Sequence, residues 1–169
     1  MMRRMFEELC SLLDTQKGIL EKMLELSREE RRIIIGGEAE LLEGIVRLEL
    51  RELSKLNASE KKRMALIKAI SAEFNLPARD MTVTSIAERA EAEERVAIVK
   101  LQRELTGLIR QHTDINDENK ELIKAHIEYS EAMLNLMVES EDPLNNFYCG
   151  DGKAAPEKKK STGFFDGTA

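Results

Sequence analysis

Between Ala97 and Val138 apolar residues return every three or four positions, at Ile98, Leu101, Leu105, Leu108, Ile115, Leu122, Tyr129, Met133 and Leu136. That spacing keeps one stripe on one side of a helix through about eleven turns. Written as heptads, one line carries Leu101, Leu108, Ile115, Leu122, Tyr129 and Leu136; the other carries Ile98, Leu105, His112, Asn119, His126 and Met133. Three polar residues thus stand in succession where a coiled-coil seam takes apolar ones. At 1.5 Å per residue such a helix is about 60 Å long, longer than a small domain is wide, so other long helices must cover its stripe.

The rest of the chain supplies them. Met5, Leu9, Leu12, Ile19, Met23, Leu26 and Ile33 mark a first stripe, flanked by Phe6, Leu13, Leu20 and Ile34 and interrupted at Gln16 and Glu30. Gly36-Gly37 suits a left-handed helix end, and Glu38-Ala39-Glu40-Leu41 restarts a helix with acidic residues at its positive end, so a hairpin is expected there. A second helix over about 38–74 turns Leu42, Ile45, Val46, Leu53, Leu56, Ile67, Ile70 and Phe74 toward its partners; Asn57-Ala58-Ser59-Glu60 reads equally as its interior and as a fresh N-cap. Asn75-Leu76-Pro77 ends it. Thr82 to Glu88 reads as a short capped helix leading into the long one near Glu91. The expectation is an all-α antiparallel bundle of three long helices over residues 1–141, with a short connecting helix and a flexible C-terminal tail over 142–169.

Composition narrows what such a bundle does. With 42% hydrophobic, 34% charged and only 4% aromatic residues, long amphipathic helices fit better than sheets or an enzyme cleft. A net charge of −6 argues against nucleic acid. Charged Glu7, Glu8, Asp14 and Lys17 interrupt what a signal peptide would keep apolar, and no run reaches the roughly 18 apolar residues of a membrane span. Cys10 and Cys149 show no metal-ligand spacing, so a cytoplasmic protein with two free thiols and no membrane insertion is expected. In the tail, Phe147-Tyr148 and Phe164-Phe165 bracket Lys158-Lys159-Lys160, more aromatic character than a bare linker needs.

The segment Ile34-Ile35-Gly36-Gly37-Glu38-Ala39-Glu40-Leu41 between two long helices resembles the helical turn of the FlgN-type flagellar export chaperones. Asp117-Glu118-Asn119-Lys120-Glu121-Leu122-Ile123, followed by Tyr129, Met133, Leu134, Leu136 and Met137, is similar to that family's last helix. Phe147-Tyr148-Cys149-Gly150-Asp151-Gly152-Lys153 resembles its Tyr-x-x-Asp-Gly element, and Gly163-Phe164-Phe165-Asp166-Gly167 its terminus. The resemblance implies a cytosolic chaperone of type III flagellar export. Its partners would be the C-terminal helices of the hook-filament junction proteins and the export gate and ATPase complex. Neither nucleotide nor metal is implied.

The candidate partner-binding residues are Ile115, Asn119, Leu122, His126, Tyr129, Met133, Leu136, Met137 and Tyr148. The seam is expected to seal the bundle in its first half and to be held less firmly beyond His112, where an amphipathic client helix would dock. Methionines suit a surface that accepts more than one sequence, although burial of Met133 and Met137 against the first helix is at least as good a reading. His112 and His126 lie about 21 Å apart along the axis and cannot chelate one ion together; each reads as a register position, an exposed position or a partner contact. Catalysis has no motif here: Glu91 with Glu94 is the kind of carboxylate pair that acidic helices produce anyway. Two other classes stay open. A structural coiled-coil scaffold would spend the same heptads on a stable oligomer, through the long helices or the tail, and a helical sensor would carry an adjoining effector module.

Overall fold

The computed structural model describes residues 2–77 and 81–140. Four helices follow in order: α1 (Met2–Gly36), α2 (Ala39–Glu73), α3 (Val83–Ala87) and α4 (Ala92–Ser140). Among the described residues there is no strand, and the fold is an all-α bundle. The chain divides into two compact units, Met1–Ile127 and Glu128–Ala169. The expected tail and Tyr148 lie outside the described residues.

Ion pairs and hydrogen bonds set the directions of the long helices. Gln16 donates to Glu60, 44 residues on, and Ser27 to Glu49, 22 residues on; the shrinking separation makes α1 and α2 antiparallel. Lys17 pairs with Glu104 at 2.9 Å and Arg31 with Glu118, both 87 residues apart, so α4 runs parallel to α1. The order is up, down, up. That register brings the end of α1 level with Ile123.

Both turns at the ends of α1 and α2 have the same chemistry. Gly37, at φ +68°, lets the Glu38 N–H reach the Ile33 carbonyl and its own N–H the Ile34 carbonyl, each at 3.1 Å. Asn75, at φ +53°, closes α2 the same way through Leu76 to Ser71 and Asn75 to Ala72. These paired bonds satisfy carbonyls that the helix end leaves open. Thr82 caps α3 by accepting from the Ser85 N–H, while Ser85 Oγ accepts from the Thr82 N–H. Asn57 is exposed within an unbroken α2, so its side chain never competes for the backbone.

The main core lies where α1 begins, α2 ends and α3 crosses to α4. Phe6, Leu9 and Leu13 meet Leu66, Ile67 and Ile70 from α2, Ile86 and Ala87 from α3, and Ile98 and Leu105 from α4. Leu9, Ile70, Ile86 and Ile98 are completely buried. At roughly 1.5–3 kcal/mol for each large side chain taken from water, this end dominates the hydrophobic stabilisation. Toward the hairpin the α2 stripe departs from expectation. Val46 and Leu53, expected inward, are 41% exposed, and Glu52 and Ser59 take the inward line instead. The cause is rotational: Leu66 fixes the face of α2 in the core, and seven-residue steps back from it arrive at Ser59 and Glu52. Glu52 tolerates burial because Lys55 lies at 2.7 Å and Lys22 at 3.6 Å, and these ammonium groups hold its carboxyl below the usual range.

Candidate partner-binding surface

Along α4 the deepest line is the one with polar interruptions. Ile98 is fully buried, Leu105 is 8% exposed and Asn119 is 2% exposed, while Leu101, Leu108, Ile115 and Leu122 on the other line are half-buried. The polar positions His112 and Asn119 therefore do not mark an uncovered seam, whereas His126 is exposed. Asn119 Nδ2 donates to the Ser27 carbonyl at 2.9 Å and to Glu30 Oε2 at 2.8 Å, which ties α4 to α1. His112 is half-buried; desolvation pushes its imidazole below the ordinary value, against an opposing pull from Glu30. Firm cover extends to Ile123 rather than stopping at His112, because α1 runs that far beside α4.

Beyond Ile123 the picture reverses, and every residue from Lys124 to Val138 is exposed. Tyr129 is 67% exposed, Leu136 62%, Met137 60% and Val138 72%; Ile127, Met133 and Leu134 add to the surface. At 100° per residue, His126, Tyr129, Met133, Leu136 and Met137 share one side of the helix, and Ile127, Leu134 and Val138 lie on the adjoining side. Glu128, Glu131 and Asn135 leave only a narrow polar strip. A contiguous apolar surface of this kind is seldom left exposed to water unless something binds there.

The expected site residues thus separate. Tyr129, Met133, Leu136 and Met137, with His126 at their edge, stand together on the exposed face. Ile115 and Leu122 are half-buried in the bundle, and Asn119 is committed to internal hydrogen bonds. Among the described residues no group of three or more His, Cys, Asp or Glu is placed to hold a metal. No described helix is long and apolar enough to cross a membrane. Cys10 is half-buried, and burial, reinforced by Glu94, pushes its thiol up and away from the reactive thiolate.

The family model described as "FlgN protein" matches residues 1–156. The chain belongs to the FlgN family. That places it in a family of flagellar export chaperones, whose members take flagellar proteins as clients. No curated protein and no solved structure gives a significant match. Sequence reasoning missed a second feature of this FlgN chain: the polar interruptions of all three long helices meet one another. Gln16 donates to Glu60, which Arg63 also pairs with, at one level, and Ser27, Glu30, Glu49 and Asn119 meet at another. The signal was the coincidence of interruptions at Gln16, Glu30, His112 and Asn119 once the helices are set in register.

Proposed function

We propose that this FlgN-family chain acts in the cytoplasm as a type III export chaperone. It holds the C-terminal amphipathic helices of the hook-filament junction proteins on the exposed end of α4 and delivers them to the export gate and ATPase complex. The supporting observation is the continuous apolar surface of Tyr129, Met133, Leu134, Leu136, Met137 and Val138. Covering such side chains is worth about 1.5–3 kcal/mol each before the cost of ordering the partner. An amphipathic helix can do this by laying anchors at i, i+3 and i+7 against them. Pliable methionines accommodate two clients of different sequence. Tyr148, outside the described residues, remains a proposed contact for the export gate.

Titration of labelled C-terminal peptides from the two junction proteins tests the reading. Micromolar or tighter binding that drops by at least about tenfold in Met133→Asp and Leu136→Asp supports it. Both positions are exposed, so neither substitution should unfold the bundle. Absence of binding to the intact protein would overturn the client assignment. If sedimentation instead shows a stable oligomer that the same substitutions dissociate, the scaffold reading takes its place.

A further inference from the structure

Within the first unit, α2 and α4 flank α1 and leave a groove between them. One section, a cavity of about 400 Å³, has Leu13 and Leu20 of α1 as its floor, Leu56 and Asn57 on the α2 side and Leu105 and Ile109 on the α4 side. A second section of about 280 Å³, lined by Glu30, Glu49, Asn116, Asn119, Lys120 and Ile123, lies further along the same three helices. From Gln16 to Glu30 the floor runs about 21 Å. The lips are apolar: Val46, Leu50 and Leu53 share a stripe with Asn57 on α2, and Ile109 stands opposite, each 41% exposed or more. Three helices in up-down-up order with such a groove leave room for a fourth.

The second section says what that fourth helix carries. Asn119 is 2% exposed, and its amide orientation is fixed because both neighbours of Nδ2, the Ser27 carbonyl and Glu30 Oε2, are acceptors. Its Oδ1 is itself buried and has no hydrogen-bond partner among the described residues. Glu49 receives one hydrogen bond, from Ser27 Oγ at 3.1 Å, and its carboxyl is pushed up by burial and by the nearby Glu30 charge. Two carboxylates line the pocket, and Lys120 stands exposed at its rim. Covering carboxylates without supplying a charged donor costs free energy.

We propose that this groove receives an amphipathic helix of a partner protein, and that a lysine or arginine on the helix's apolar face enters the pocket formed by Glu30, Glu49 and Asn119. The inference deepens the chaperone reading but rests on other residues than the exposed end of α4. A purely apolar helix would cover the lips and desolvate both carboxylates with no opposite charge supplied. A basic side chain lays its methylenes along Leu53 and donates to the carboxylates of Glu30 and Glu49.

The test uses synthetic amphipathic peptides of about 20 residues with leucine at i, i+3, i+4 and i+7, in which one face position after another is lysine or norleucine. Binding is measured to the full chain carrying Met133→Asp and Leu136→Asp, which removes the other apolar surface from competition. In at least one register the lysine peptide should bind about tenfold more tightly than its norleucine counterpart. Glu49→Gln should reduce that preference severalfold, and Leu53→Asp should weaken both peptides. Equal binding of lysine and norleucine peptides in every register, a preference that survives Glu49→Gln, or no binding at about 1 mM peptide, where a millimolar affinity would half-saturate the site, would each overturn the inference. The chaperone reading would stand through any of these, since junction-protein peptides on the unaltered α4 decide it separately.

Discussion

Glu30 sits among three groups that answer to its charge. It accepts from Asn119, raises Glu49, and pulls upward on His112, whose imidazole desolvation nevertheless holds below its usual value. For Glu49 the folded pKa lies above the unfolded one, so ionisation opposes folding above the folded value, and that penalty vanishes below about pH 4.3. Glu49→Gln should therefore stabilise the free protein at pH 7 and leave it unchanged near pH 4. Thermal melts followed by circular dichroism at the two pH values check both halves. His112 has the opposite slope: its folded pKa lies below the unfolded 6.5, so stability falls as pH drops through 6.5 toward the folded value. His112→Gln should flatten that fall, seen as a smaller loss of melting temperature between pH 7.5 and pH 5.5. The interruptions at Gln16, Glu30, His112 and Asn119 are visible in the heptads. Their burial is not, because a heptad names a line of residues without saying which of two adjacent lines turns inward.

Local propensity decided the helices and their ends. Gly36-Gly37 and the Thr82 cap are chemical signals readable without tertiary structure, and so is the period that extends α4 past Ser130. The face of α2 was harder to read. Its outer apolar residues Val46, Leu50 and Leu53 outnumber the inward ones in the same stretch, and only the anchoring of Leu66, Ile67 and Ile70 in the core reveals that Glu52 and Ser59 lie inward. Backbone propensity also leaves room for improvement in α1. Gly18 is exposed in the helix interior, and an added Cβ would meet nothing within 4 Å. Gly18→Ala should stabilise by about 0.5–1 kcal/mol, through lower entropy of the unfolded chain and better helix propensity. Gly37 looks equally free of contacts but holds φ +68°, so Gly37→Ala should cost about 1 kcal/mol instead. Denaturant midpoints of the two variants, shifted in opposite directions, separate conformational cost from steric cost.

Across the whole molecule, buried apolar side chains and exposed ones are segregated along α4. The described residues that unite the core, from Phe6 and Leu9 through Ile70 and Ile86 to Ile98 and Leu105, belong to one cluster; the residues from Lys124 to Val138 contribute none to it. Backbone hydrogen bonds open locally with free energies that follow the buried contacts around them. Amide exchange in the free chain should therefore be slowest at Leu9, Ile70, Ile86 and Ile98, and faster by orders of magnitude from Glu128 to Val138, although both stretches are helical. Saturating junction-protein peptide should slow exchange across 128–138 by at least about tenfold, because a covered helix opens only after its partner leaves. A client held in the groove between α2 and α4 would instead slow exchange at Val46, Leu50, Leu53 and Ile109. Protection at both places would mean that both surfaces hold peptide. Protection at neither, with peptide bound, would refute both surfaces at once.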